Sequence, residues 1–121
     1  MNELIETIFK NFTVDNVEIP VQFAYYTGHN TTYITYNNIS TGDTFYTDDN
    51  LVNYVEYYDF DIYSKGNYFN ILESVIEILE QNGFDWQPTM SSGDLFEKDT
   101  GYFHKTLCFA YLRSKEEINN G

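Results

Sequence analysis

Two carboxylates one residue apart, in Asp59-Phe60-Asp61, are the first residues whose types and spacing bear on chemistry. Alternate residues of a strand point the same way, so the pair has the D-x-D form with which some metal-dependent transferases hold a divalent cation. The same spacing arises wherever a half-buried strand carries an acidic outer face, and Tyr58, Phe60 and Ile62 supply the matching apolar face here. A nuclease-like Asp…Asp-x-Lys arrangement fails on spacing, because Lys65 lies too far from Asp61 and beside the turn residue Gly66. Asp48 and Asp49 are adjacent, so their side chains point apart, and no third ligand stands at motif spacing. His29 falls in the turn-like Thr27-Gly28-His29-Asn30 and His104 in a strand, with nothing in the sequence tying either to a carboxylate or to Cys108. Cys108 is the single cysteine, set in the apolar run Leu107-Cys108-Phe109-Ala110, and is expected to be a small buried side chain with no disulfide. Searches for a Walker-type glycine loop, a G-x-S-x-G elbow, an H-E-x-x-H helix and a C-x-x-C pair are empty. The expectation is no catalytic residue, no cofactor and no metal.

The elements that must position these residues are legible from periodicity. Leu4, Ile5, Ile8, Phe9 and Phe12 form one helical stripe and predict a first helix over residues 2–12. Residues 21–26 read as a strand, 27–30 as its turn and 32–36 as the returning strand. The polar stretch 37–50 is expected to be a loop, with at most a short edge strand over 44–50. Residues 52–63 read as a long strand with Asp59 and Asp61 on its wet side. Asn67 is a candidate N-cap for a second helix whose stripe is Ile71, Leu72, Val75, Ile76, Ile78 and Leu79, with Glu73, Glu77 and Glu80 towards solvent and Gly83 terminating it. Residues 84–90 and 102–113 read as two further strands; Phe103, Leu107, Phe109 and Tyr111 share parity with Lys105, so both faces of the last are expected to be partly covered. This order predicts an α+β fold, an antiparallel β-sheet with two helices packed on one face, as a single domain over residues 1–113 with a flexible tail over 114–121.

Composition narrows the function. A chain of 121 residues fits one ordinary domain, which on size scaling buries about two-thirds of its surface on folding. Six basic residues against nineteen acidic ones leave a formal charge of −13. That charge opposes the counterion release that drives proteins onto nucleic acid, and an acidic surface instead suits a passage through which DNA slides without sticking. Aromatic residues make up 19% of the chain, a surplus that supplies protein contacts when it reaches the surface. The first residues are acidic, with no basic stretch ahead of an apolar run, and no apolar run is long enough to span a bilayer, so neither secretion nor membrane insertion is expected. The N-x-S/T sequons at Asn11, Asn30 and Asn38 then count as chance products of an Asn-rich chain.

The segment Tyr46-Thr47-Asp48-Asp49-Asn50, followed by Tyr54-Val55-Glu56-Tyr57-Tyr58-Asp59-Phe60-Asp61-Ile62-Tyr63-Ser64-Lys65, resembles the tail-terminator, or tail-completion, proteins of siphophages and Gram-positive prophages. Those proteins show an aromatic-D-[DN]-N loop, a strand of E-[IL]-[YD]-[IL]-Y-[ST] character and a lysine-containing turn into a glutamate-rich helix. Asn70-Ile71-Leu72-Glu73-Ser74-Val75-Ile76-Glu77-Ile78-Leu79-Glu80 stands where that helix belongs. Leu95-Phe96-Glu97-Lys98-Asp99-Thr100-Gly101-Tyr102-Phe103-His104-Lys105 is similar to the family's acidic turn and aromatic strand with a Y-H-K core. The resemblance spans residues 20–113 and rests on order and spacing. It implies a structural protein of the virion tail, assembled in the host cytoplasm. Such a protein forms a six-membered ring at the head-proximal end of the tail tube, stops tube polymerisation and offers the surface for head joining. The implied partners are further copies of itself, the major tail-tube protein and a head-completion or connector protein. Within the expected loop, Phe45 and Tyr46 are the candidate contact residues, with Asp48 and Asp49 tuning repulsion. Two other classes stay open: an acidic decoy that mimics DNA towards a host protein, and a small enzyme or ligand-binding domain.

The charge generates the first prediction. In a gel-shift assay with long duplex DNA at physiological salt, the chain gives no complex at micromolar concentration; a stoichiometric complex that weakens with added salt would contradict the repulsive surface.

Overall fold

The computed structural model describes residues 2–47 and 50–114, with backbone alone described over 40–47, 50–53 and at 114. Helix α1 (Asn2–Ile8) leads into a two-residue hairpin of β1 (Thr13–Val14) and β2 (Val17–Glu18). There follow β3 (Val21–Phe23), β4 (Thr32–Thr47), β5 (Asn50–Ser64), helix α2 (Phe69–Glu80), β6 (Phe84–Trp86), a 3-10 turn over Pro88–Met90, β7 (Leu95–Glu97) and β8 (Tyr102–Ser114). The main sheet has the order β3-β4-β5-β8-β6, with β7 also on β8, and is antiparallel except between β3 and β4. The fold is α+β, as expected.

Residue parity explains the layers. Ile34 and Tyr36 on β4 pair with Ile62 and Phe60 on β5, which pair in turn with β8, Phe60 with Leu107 and Tyr58 with Phe109. These seven side chains are buried together with Ile5 and Phe9 from the first helical segment and Ile71, Leu72, Val75 and Leu79 from α2, so both helices cover the same face. Phe60 lies at the centre, its ring 5.7 Å from Tyr36, 5.8 Å from Phe9 and 5.5 Å from Phe109 between centroids. Glu73, Glu77 and Glu80 face solvent. Asn67 does accept the Phe69 amide at 3.0 Å, one position ahead of the geometric N-cap Tyr68, and Gly83 has the positive φ of a helix terminator.

Several expectations are corrected. The first helix stops at Ile8, because Asn11 adopts φ 57°, yet Phe9 and Phe12 still reach the core. The segment Val14-Asp15-Asn16-Val17 is a tight hairpin in which Asp15 and Asn16 both have positive φ, a turn these short polar residues tolerate. Strand β3 is parallel to β4, not the first arm of a hairpin. Buried Ile19 donates its amide to Phe12 and the Pro20 carbonyl accepts from Ile34, which fixes the start of β3 beside the start of β4. Residues 24–31 then carry the chain back: Ala24 turns at φ 68°, and the Tyr26 hydroxyl bonds both the Asn30 amide and its side chain. A Cβ at Gly28 would run into the Tyr26 ring, so any larger residue there displaces that ring.

The expected loop over 37–50 is replaced by strand as far as Thr47, so Phe45 and Tyr46 lie in an antiparallel ladder, opposite Asn53 and Leu51. β5 pairs with residues 37–38, 40–42 and 45–47 of this stretch, and register shifts between Asn38 and Ser40, between Gly42 and Phe45 and between Phe45 and Tyr46 absorb the missing alternation. Residues 84–90 divide at Gln87, where Pro88 opens the 3-10 turn. Leu95–Glu97 forms a strand that the polar flanks concealed. Ser114, expected in the tail, closes β8, and residues 115–121 of the expected tail lie outside the described residues.

Removing the central ring tests this packing. Phe60→Ala should cost about 3–5 kcal/mol, read by urea unfolding; a loss below about 1 kcal/mol would place the core elsewhere.

Candidate interaction surface

The sheet face away from the helices collects the residues singled out for chemistry. Register alone brings them together: Tyr33, Tyr63 and His104 form one row across β4, β5 and β8, Thr35, Asp61 and Thr106 the next, and Asn37, Asp59 and Cys108 the third. Asp61 Oδ1 accepts from Thr106 Oγ1 at 2.5 Å and lies 3.1 Å from His104 Nε2. Asp59 and Cys108 share a side-chain hydrogen bond. The face expected to be wet is therefore half-buried. Above it Tyr26, Tyr33, Tyr63 and His104 stack in sequence, with centroid separations of 4.4, 4.9 and 4.3 Å.

Electrostatics decide what this cluster can do. Burial, then the neighbouring charge of Asp61, raises the Asp59 carboxyl above its ordinary range, and its Oδ1 is buried with no hydrogen-bond partner among the described residues. A raised carboxyl binds its proton more tightly when folded than when unfolded. Charged Asp59 thus costs stability at neutral pH, and the cost is relieved as the pH falls through its folded pKa. Burial and the adjacent Asp59 push the Cys108 thiol up to about 11, so it is protonated and a poor nucleophile. His104 lies four residues from Cys108 along one strand, roughly 13 Å, out of reach as its base. Among the described residues no three His, Cys, Asp or Glu side chains converge as metal ligands, so the D-x-D pair stands without a third donor. The cluster joins three strands.

The outer edge of β8 is covered over residues 102–111. β7 pairs with residues 102–104 and β6 with residues 109–111. Between them Ser91 and Ser92 accept the amides of Cys108 and Thr106, both at 2.9 Å, and the Ser92 amide returns a bond to the Thr106 carbonyl. Cys108 is fully buried on one face of β8 and Leu107 and Phe109 on the other, as expected of a strand with both faces partly covered.

Three further features lie elsewhere. The β4–β5 hairpin runs on beyond Asn53, which among the described residues is the last β5 residue paired with β8, and carries Phe45 and Tyr46; Asp48 and Asp49 lie outside the described residues. A second patch forms where the start of α2 meets the β7–β8 hairpin. Buried Tyr68, held by its hydroxyl to Asp94, underlies exposed Phe69 and Phe103, with ring separations of 6.0 Å and 6.1 Å, and exposed Phe96 packs on Phe103 at 4.8 Å. The hydrogen bond from Tyr68 and the nearby Lys105 hold Asp94 below the usual carboxylate range. A third patch, Phe23, Tyr25 and Ile39, lies at the β3 edge. His29 is exposed in the loop after β3 and touches none of these clusters. The pairing of Asp61 with His104 and of Asp59 with Cys108 needed strand register, which one sequence does not supply. The Phe69 patch had a readable signal: Phe69 falls off the apolar stripe of α2, and Phe96 stands in a polar connection.

No protein-family model and no curated protein matches this chain. Among the described residues no helix is long and apolar enough to cross a membrane.

Thiol chemistry tests the buried cluster. At pH 8 native Cys108 should react with a chromogenic disulfide reagent at least about a hundredfold more slowly than the same chain in guanidinium, from the raised thiol pKa alone. Comparable rates would mean that the 87–92 loop does not cover it.

Proposed function

We propose that the chain is a ring-forming structural protein of a phage tail. On this reading six copies close on the head-proximal end of the tail tube, stop its growth and present the surface to which the head joins. The observation that carries the reading is the long β4–β5 hairpin, whose far end, among the described residues, runs on past the last β5 residue paired with β8. A projecting two-stranded element reaches a neighbour or a tube end while the core stays intact behind it. Apolar side chains exposed at both edges of the sheet support repeated self-contact. The net charge of −13 supports a lumen along which DNA moves without adhering. The partners are other copies of the chain, the major tail-tube protein and a head-completion or connector protein. The half-buried cluster of Asp59, Asp61, His104 and Cys108 acts as a structural tie in this reading, and no enzymatic step is assigned to it.

Phe45 and Tyr46 give the direct test. Replacing both with Ser should leave the melting temperature within a few degrees of the wild type. Capping of tail tubes, counted by electron microscopy as the length distribution of assembled tubes, should be lost. A double variant that still sets tube length normally, or one that unfolds outright, would defeat the assignment of these residues.

A further inference from the structure

Three tyrosines of one stack carry phenols that the packing leaves unused. Tyr26, Tyr33, Tyr63 and His104 follow one another at centroid separations of 4.4, 4.9 and 4.3 Å, with planes tilted by 19°, 20° and 15°. All four are half-buried, so solvent still reaches them. Tyr25, next to them in sequence, is 69% exposed and stacks on no ring among the described residues. A solvated tyrosine and a stacked one answer one-electron oxidation differently. Either becomes a phenoxyl radical by losing an electron and its phenolic proton, but only in the stack does a second phenol lie close enough to exchange the radical and then to trap it.

Freedom of movement picks the pair. Tyr33 lies between Tyr26 and Tyr63 and also takes the edge of Tyr102 at 5.8 Å, and Tyr63 lies between Tyr33 and His104. Tyr33 and Tyr63 stand at directly paired positions of β4 and β5, where the ladder fixes their backbones. Tyr26 has a ring on one side only among the described residues, and it belongs to the loop over residues 24–31. Its hydroxyl bonds to Asn30 of the same loop, so ring and loop move together. A bond between two ring carbons ortho to the hydroxyls leaves the centroids about as far apart as those of Tyr26 and Tyr33 already are. The Tyr26 ring needs to swing from the face of Tyr33 to its edge, along soft side-chain torsions.

The loop is otherwise lightly held. The amides of Ala24 and Tyr25 bond to the carbonyls of Tyr36 and Phe23, but over residues 26–31 no backbone hydrogen bond ties the loop to the sheet among the described residues. The Tyr26 ring on Tyr33 is the contact that seats it. With Cys108 the single cysteine, no disulfide within the chain can fasten the loop.

We propose that Tyr26 and Tyr33 form an oxidative cross-linking site, at which a peroxide acting through one-electron steps couples the two rings into dityrosine. The first oxidation, at Tyr26, passes through the stack to Tyr33, and the second forms the Tyr26 radical again. The two radicals join through ortho carbons, and each ring then returns its ortho hydrogen to its own oxygen and is once more a phenol. One carbon–carbon bond replaces two carbon–hydrogen bonds. The two electrons break the O–O bond of the peroxide, and the two protons go to solvent. The bridge fastens the loop after β3 to β4. It needs no second copy of the chain and is independent of the tail reading.

The test mixes equal parts of unlabelled and isotope-labelled full chain and oxidises them with peroxydisulfate and a light-activated ruthenium complex. Dityrosine fluorescence gives the yield, and mass spectrometry of the joined peptides gives the positions. The expected product is lighter by two hydrogen atoms, unmixed in label and bridged from Tyr26 to Tyr33. Tyr26→Phe and Tyr33→Phe keep a ring in the stack but remove a phenol; with circular dichroism matching the wild type, each should lose this bridge down to the level seen without light. Tyr25→Phe should retain it. The same chain unfolded in urea should give scattered couplings in its place, because the stack is gone. A bridge from Tyr26 to Tyr33 that forms equally well in urea would come from nearness in sequence, and the inference falls. It falls as well if the folded chain couples Tyr33 to Tyr63 instead, if the bridge is mixed in label, or if Tyr26 does not couple at all.

Discussion

The rest of the structure depends on the contact of Phe60 with the rings around it. Phe60 sits on the central strand β5 and meets Tyr36 on β4, Phe109 on β8 and Phe9 from the N-terminal segment. One side chain thus ties the sheet across its width and the first helical segment to the sheet. Aromatic rings bury much area for little lost rotamer freedom, so a chain with 19% aromatic residues can hold a long, narrow sheet with only two short helices over it. The same parity that buries Phe60 sends Asp59 and Asp61 to the other face, where Thr106 and His104 take up Asp61 and Cys108 stands beside Asp59, whose Oδ1 is left without a partner among the described residues. The acidic pair is a consequence of the core strand and of the partners that register places beside it.

That arrangement explains why residues that look chemical in sequence lie side by side on one face of the sheet. A protonated thiol, a carboxylate held by a hydroxyl and an imidazole stacked on a tyrosine make a half-dry seam across three strands. The seam rigidifies the sheet, and the serine-lined loop over β8 closes its edge, where unpaired backbone would otherwise invite uncontrolled strand addition. Large apolar side chains are left exposed at the two outer edges, among them Tyr25, Phe69 and Phe96.

Local pattern carried part of this picture. The stripe from Ile71 to Leu79 and the alternation from Tyr58 to Ile62 gave the second helix, the central strand and the α+β class, because each is set by which side of the element is buried. The strand through residues 37–47 was not legible: Asn37-Asn38-Ile39-Ser40-Thr41-Gly42-Asp43 has no alternation, and its ladder comes from β5 rather than from its own preference. The parallel placement of β3 was hidden for a similar reason, since it follows from the anchoring of Ile19 and Pro20 some fifteen residues before the strand they align with. For the contact surface, the excess of aromatics pointed to protein partners, but assigning Phe69, Phe96 and Tyr25 to opposite edges needed the strand order. The hairpin turn at Asp15-Asn16 could have been read, being a two-residue turn of short polar side chains between valines.

The central claim is that this chain closes on itself in a fixed number of copies. Native mass spectrometry of the wild-type chain across a concentration series addresses it with no variant and no partner. The account predicts one discrete assembly of six copies, in equilibrium with monomer and with no larger series. A monomer at every concentration, or an open ladder of sizes with no preferred number, would contradict it.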